Sequence, residues 1–396
     1  MGAKRPPSSF PDPVIGQAGR AVEASPSCRI VALNPTTCRS DAADWLRLCH
    51  SPGLAPAALR QLLRAFGTPT AVLAAAGTAV HAVAGPEART AIEAGPPMEL
   101  VDSTLSWLEG GDRHLLALGD ESYPRALLQI FDPPPLLYVL GDTARLNEPS
   151  IAIVGSRNAT KQGLSDARGF ARTLSAAGFC IVSGLALGID AAAHRGGLAA
   201  RSSSIAVVGT GLDRIYPAAN RELAHDLAAR GAIVSEFCLG TPPVASNFPR
   251  RNRLIAGLSR GVLVVEAAMK SGSLTTARLA LEQGRDVFAV PGSIHSPLSK
   301  GCHWLLKQGA KLVESADDVL AEWGIMRAPV PDFPEPDERS GTLLAELGHA
   351  PATLDALVSR TGRPAPELSA EFTQLELDGR VERLPGGLYR RLDARS

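Results

Sequence analysis

Four runs of small and polar residues in the middle of the chain have the make-up of anion-binding loops. They are Gly155-Ser156-Arg157, Ser183-Gly184-Leu185-Ala186-Leu187-Gly188, Gly209-Thr210-Gly211 and Ser271-Gly272-Ser273-Leu274-Thr275-Thr276. Small residues let backbone N–H groups approach an anion closely, and a helix starting at such a run aims its positive end at the same point. Arg157 adds a planar fork able to hold a phosphate through two bonds, and Lys270 adds a point charge just before the last run. One such loop is ordinary between a strand and a helix; several in one segment make phosphate the expected ligand. A second cluster, Phe248-Pro249-Arg250-Arg251-Asn252-Arg253, sets three arginines beside an aromatic ring. A basic track with a stacking face suits a single-stranded polynucleotide, and Tyr216 is a second candidate for stacking.

Spacing excludes the commoner nucleotide chemistries. The first run continues Asn158-Ala159-Thr160-Lys161-Gln162-Gly163, which is not the dinucleotide pattern G-x-G-x-x-G, and no G-x-x-x-x-G-K-[ST] occurs anywhere. Candidate catalytic groups are sparse: His194, His295 and His303 come with no nucleophile or acid–base partner nearby in sequence. Asp190 reads as a carboxylate at a helix start, and Glu266, at a strand end, is the one acid aimed at the presumed site. The six cysteines never form C-x-x-C, so reduced thiols and no metal are expected. No cofactor is expected either.

Forty basic side chains balance forty acidic ones, which at first argues against a polyanion partner. Counted by segment, residues 1–150 carry −3, residues 151–320 carry +7 and residues 321–396 carry −4. A basic middle between acidic flanks restores that partner. No apolar run approaches the ~18–20 residues of a membrane span, and residues 1–10 lack the apolar stretch of a signal peptide. A cytoplasmic protein without membrane contact is expected.

These loops need a scaffold. Ile151–Val154, Cys180–Ser183, Ile205–Val208, Ile233–Ser235, Val262–Val265 and Val287–Val290 are short Val/Ile-rich runs, as in parallel strands buried on both faces. Helical patterns between them end at Gly178, Gly231 and Gly284, which predicts a doubly wound α/β sheet of the Rossmann type. In such a sheet ligands sit beyond the carboxyl ends of the strands, where the small-residue runs fall. Upstream, Trp45, Leu46, Leu48, Leu59, Leu62, Leu63 and Phe66 predict short helices around a turn at 51–56 whose two prolines suit packing better than phosphate gripping. Downstream, three short helices and two strands around Pro385-Gly386-Gly387 follow the winged-helix order. The expected organisation is a flexible extension at 1–40, a helical domain at 41–110, the Rossmann domain at 111–325, a Pro-rich linker at 326–340 and a winged helix at 341–396.

The ordered motifs resemble the DNA-processing protein A (DprA/Smf) family. They are Gly155-Ser156-Arg157, Ser183-Gly184-Leu185-Ala186 with Gly188-Ile189-Asp190, Gly209-Thr210-Gly211-Leu212-Asp213 with Tyr216-Pro217 and Asn220, Phe248-Pro249 with Arg251-Asn252-Arg253, Ser271-Gly272-Ser273 and Val290-Pro291-Gly292. Tyr123-Pro124 and Asp132-Pro133-Pro134 extend the likeness upstream, so that it spans roughly residues 41–392. The resemblance implies a sterile-alpha-motif-like N-terminal domain, an extended Rossmann domain and a winged helix. It also implies a non-enzymatic protein that binds single-stranded DNA, forms a homodimer and loads the RecA recombinase during natural transformation. Arg157 would be a main phosphate contact, assisted by Ser183, Gly184, Gly188, Ser271, Gly272, Ser273 and Thr276 and by the 248–253 segment. His303, Trp304 and Leu312 would border the dimer interface. Ala218 departs from the pattern, since relatives often carry a basic residue directly after the Tyr-Pro, and Arg221 is the nearest cation. The alternative, a phosphoribohydrolase-like Rossmann enzyme, wants a Pro-Gly-Gly-x-Gly-Thr loop; Ala267-Ala268-Met269-Lys270-Ser271-Gly272-Ser273 follows Glu266 instead. The segment predicted as recognition helix carries Glu367, Glu371 and Glu376, which argues against duplex reading and for a protein contact.

Overall fold

The computed structural model describes residues 39–325, 343–348 and 351–392. The extension expected at 1–40 lies almost wholly outside these residues, and the linker expected at 326–340 lies entirely outside. Among the described residues, five helices come first: α1 (Arg39–Cys49), α2 (Pro56–Phe66), α3 (Pro69–Ala74), α4 (Gly77–Ala94) and α5 (Met98–Trp107). Their periodic apolar positions are buried, with Leu46, Leu48 and Leu62 fully so. Pro56 and Pro69 open α2 and α3, where no N–H is needed, and the Thr68 hydroxyl accepts from the Ala71 N–H to cap α3. His50 joins this unit to the sheet behind it, its Nε2 lying 2.7 Å from Tyr138 Oη.

The sheet runs through β1 (Arg113–Ala117), β2 (Leu136–Gly141), β3 (Ser150–Val154), α6 (Lys161–Ala176), β4 (Cys180–Ser183), α7 (Ile189–Leu198), β5 (Ser204–Val207), α8 (Arg221–Arg230) and β6 (Ala232–Ser235). It continues through α9 (Asn247–Leu258), β7 (Gly261–Val264), α10 (Gly272–Glu282), β8 (Asp286–Ala289), α11 (Lys300–Lys307), β9 (Lys311–Leu312) and α12 (Ala316–Glu322). Strand order is β1-β2-β6-β5-β4-β3-β7-β8-β9, with β3 to β9 mutually parallel and β1 and β2 antiparallel at one edge. Every residue of β3 to β7 is buried, because helices cover both faces, and this explains their unbroken apolar runs. The chain winds outward from β3 to β6, then returns past β3 to start β7. That reversal leaves a crevice between the loops after β3 and β7.

The β1–β2 pair is an addition to the expected sheet. Leu137, Tyr138 and Val139 of β2 are fully buried, and Tyr123 Oη donates to the Pro134 carbonyl at 2.6 Å, tying the two proline motifs together.

The last unit holds α13 (Leu343–Leu347), β10 (Ala352–Thr353), α14 (Leu354–Thr361), α15 (Ala365–Leu377), β11 (Val381–Leu384) and β12 (Leu388–Arg391), with strands ordered β10-β12-β11. This is a winged helix, centred on Phe372 and Tyr389, whose rings stack at 4.1 Å. Two of the α15 acids are held in place, since Arg363 bonds both Glu367 and Glu371 at 2.6 Å. Among the described residues no helix is long and apolar enough to cross a membrane.

Candidate nucleic-acid interface

A cleft of about 610 Å³ opens at the switch point. One wall is the loop after β3, with Gly155 and Arg157; the opposite wall is the start of α10, with Ser271, Gly272, Ser273 and Thr276. Phe248, Asn252 and Ile255 of α9 face it from a third side, with Tyr216 and Pro243 at the rim. Ser271 Oγ accepts from the Ser273 N–H at 3.3 Å and so caps the eleven-residue helix α10, whose N-terminal dipole end faces the cleft.

The 183–188 loop is held by side chains on every side. Asp190 Oδ2 accepts from the Gly184 and Ala186 N–H groups at 3.1 and 3.4 Å, and Asn220 Nδ2 donates to the Leu185 and Ala186 carbonyls at 2.9 and 3.1 Å. His194 Nε2 accepts from the Leu185 N–H at 3.2 Å, while its Nδ1 lies 2.7 Å from Ser204 Oγ. Leu185 sits at φ +58°, which costs a non-glycine residue about 1–3 kcal/mol. Burial of its side chain to 1% exposure returns a similar amount, roughly 1.5–3 kcal/mol. Asp190 therefore does more than complement a helix dipole. It organises the loop.

Gly188 ends this loop at φ +76°, and an added Cβ would overlap the Ser156 carbonyl oxygen and stand 2.6 Å from that of Arg157. The two loops touch through backbone here, which fixes the turn presenting Arg157. Gly184 is equally crowded, because a Cβ there would overlap the Arg251 guanidinium.

The arginine cluster does not form one basic face. Residues 247–258 are helical, so positions 248, 252 and 255 turn to the cleft while 250 and 253 turn away. Arg250 and Arg253 both reach Glu236, and Arg253 also donates to the Asp132 carbonyl at 2.6 Å. Arg251 is 5% exposed at the cleft floor, donates to the Val207 carbonyl, and has no partner for its Nε among the described residues. Burial lowers its pKa to about 10, with the Asp190 carboxylate opposing, so it remains a cation at neutral pH. Burial raises the Asp190 pKa, with Arg251 opposing that shift in turn.

At the rim, the exposed Arg157 guanidinium lies 5.6 Å from the centre of the Phe248 ring, and the Tyr216 and Phe248 rings are 5.9 Å apart. Tyr216 is 45% exposed. A cation and two aromatic rings thus meet at the mouth of a cleft lined by small residues. Such a group can hold a phosphate and stack a base in one place.

The other expected residues are distributed as follows. Ser156 Oγ accepts from the Asn158 N–H at 3.2 Å, bracing the Arg157 turn, and Ser183 Oγ donates to the Ile153 carbonyl at 2.7 Å inside the sheet. Lys270 is exposed just outside the cleft, and Arg221 starts α8 at the surface. Glu266 is bound structurally: its two oxygens accept from the Thr160 hydroxyl at 2.6 Å and N–H at 3.0 Å, holding the loop that leads into α6. At the far edge of the sheet, Trp304 is 40% and Leu312 54% exposed, while His303 Nε2 lies 3.0 Å from the Gly292 carbonyl oxygen. Sequence reasoning missed the wall made by Pro243 and Ala245. The Pro242-Pro243 pair was the available signal of a stiff loop there.

Two buried histidines make acid lability an expected property. Burial lowers His194 from 6.5 to about 3 and His50 from 6.5 to about 4. The unfolded chain takes these protons near pH 6.5 and the folded protein only near pH 3 and 4. Stability therefore falls as pH drops below 6.5, by up to about 2 kcal/mol per histidine at pH 5. Urea midpoints between pH 7 and 5 read this out, and His194→Gln should shallow the dependence.

The profile of the DNA recombination-mediator protein A family matches residues 114–324, and that of the DprA winged helix domain matches residues 327–387. Protein Smf of Escherichia coli is 45% identical over 305 residues, which cover 74% of this chain and 82% of that protein. DNA processing protein DprA of Streptococcus pneumoniae is 50% identical over 204 residues, 52% of this chain and 72% of the relative. The X-ray structure of DprA from Streptococcus pneumoniae superposes with a TM-score of 0.62 at 39% identity, covering 71% of this chain and 97% of that one. The chain belongs to the DNA recombination-mediator protein A (DprA/Smf) family.

Proposed function

We propose that this protein binds single-stranded DNA in the cleft at the sheet switch point and passes the strand to RecA in the cytoplasm during transformation and homologous recombination. The observation that carries the reading is the Arg157–Phe248–Tyr216 group at the mouth of a cleft with the α10 N-terminus on its wall. The buried Arg251 Nε, unpartnered among the described residues, adds a donor at the floor that a phosphate would satisfy. The DNA-processing names of the Streptococcus pneumoniae and Bacillus subtilis relatives and the basic balance of residues 151–320 support the same reading. The α15 helix carries Glu367, Glu371 and Glu376 and no basic residue to neutralise phosphate, which supports single strands over duplex. We assign the exposed Trp304 and Leu312 edge to a homodimer, which equilibrium sedimentation at micromolar concentration would detect.

Competition between single- and double-stranded DNA across a salt series tests the central claim. Single strands should win, with log affinity falling against log salt by about 0.7 per phosphate neutralised. Equal affinity for duplex, or binding indifferent to salt, would overturn it.

A further inference from the structure

Outside the cleft, helices α6 and α7 carry a stripe of positive charge in which Lys161 alone has an acidic neighbour, Glu382, among the described residues. Lys161, Arg168 and Arg172 are exposed on α6, and at 3.6 residues per turn they fall within about 40° of one line along it. Helix α7 is buried at every position except Arg195. A Cβ on the next residue, Gly196, would overlap the Arg168 carbonyl oxygen and stand 2.7 Å from Ala171 Cβ, so α7 crosses α6 at this level and sets Arg195 beside the stripe.

Several arginines on other helices have acidic partners one turn away, as in Arg89–Glu93, Arg230–Asp226 and Arg278–Glu282. Among the described residues, Arg168, Arg172 and Arg195 have none. Arg168 and Arg172 instead face each other at i,i+4, a like-charge pair that costs a helix about 0.2–0.5 kcal/mol. The nearest acid on α6, Asp166, bonds Gln162 Nε2 at 2.7 Å and lies about 140° round the helix from the stripe's line. The stripe begins four residues after Arg157 and runs about 16 Å, from Lys161 to Arg172.

We propose that this α6–α7 stripe is a second polynucleotide surface, taking the phosphates of a single strand as it leaves the cleft past Arg157. The proposal rests on the cleft being the primary site. A competing occupant is the chain's own acidic winged helix, since Lys161 Nζ lies 4.0 Å from Glu382 Oε1. Glu382 is already bonded by Arg390 at 2.6 Å, however, and Lys161 remains 60% exposed, which favours an outside anion.

The test measures binding of single strands of roughly 4 and roughly 20 nucleotides, the first too short to leave the cleft. The variant is Arg168→Ala/Arg172→Ala/Arg195→Ala in the full chain. Long-strand affinity should fall roughly tenfold and its salt slope shallow by about 2, for three lost phosphate contacts. Short-strand affinity should hold, which also shows that the variant is folded, and the matching triple lysine variant should keep most of the long-strand affinity. Unchanged long-strand binding, or equal loss at both lengths, would overturn the stripe. Tighter long-strand binding would overturn it too, in favour of the winged helix as occupant. An Arg157→Ala arm separates the two ideas: it should weaken both lengths, and if it weakens neither, the cleft reading fails instead.

Discussion

Replacing Arg157 with alanine is expected to weaken single-strand binding by roughly 100-fold, since a charge-assisted bond to phosphate is worth about 1.5–3 kcal/mol and the cation over Phe248 is lost as well. The side chain is exposed and forms no ion pair among the described residues, so Tm should stay within about a degree of wild type. The delivery to RecA proposed above should fail in parallel. Arg157→Lys keeps the charge and loses the planar fork, and should fall between the two. Filter binding or fluorescence anisotropy at about 0.15 M salt decides the matter. A variant that binds as well as wild type there removes the cleft from the proposal.

Gly188→Ala should do comparable damage by a different route. The new Cβ would run into the Ser156 carbonyl while the backbone sits at φ +76°, combining about 1–3 kcal/mol of backbone strain with about 1–3 kcal/mol of overpacking. Relief requires the two loops to part, which moves the Arg157 turn off its position. The variant should therefore lose both stability, seen in the urea midpoint, and DNA affinity, although Arg157 is present. Gly178→Ala is the control. Its φ is +99° but nothing lies within 4 Å of an added Cβ, so only the backbone cost of about 1–3 kcal/mol remains, without the overpacking. Equal effects at the two positions would mean that the loop–loop contact contributes nothing.

The two variants separate what a residue type carries from what its placement carries. The proposal of a phosphate ligand comes from residue types: glycine, serine and arginine at the ends of Val/Ile runs need no tertiary information to suggest an anion. The parallel sheet was legible for the same reason, because a strand buried on both faces must be apolar at every position, as β3 to β7 are. The β1–β2 addition was less legible, since an antiparallel edge is defined by pairing with a strand about 95 residues later rather than by its own pattern. Residue count alone also suggested one basic surface at 250–253, and the helical period divided it.

By itself, the order of strands, helices and small-residue loops determined the class of fold, the edge of the sheet to which the proposed site is assigned, and the family. Tertiary structure decided which side chains face that edge. It turned Arg250 and Arg253 toward Glu236, placed Arg251 beneath the cleft, engaged Glu266 with Thr160, and made Asp190, His194 and Asn220 the supports of a loop up to 35 residues away in sequence. The physical reason is range. Backbone preference and hydrophobic period act over a few residues and survive in the sequence as pattern. The partner of a buried charge or the close approach of two backbones depends on where distant segments meet, and that is set only when the sheet has assembled.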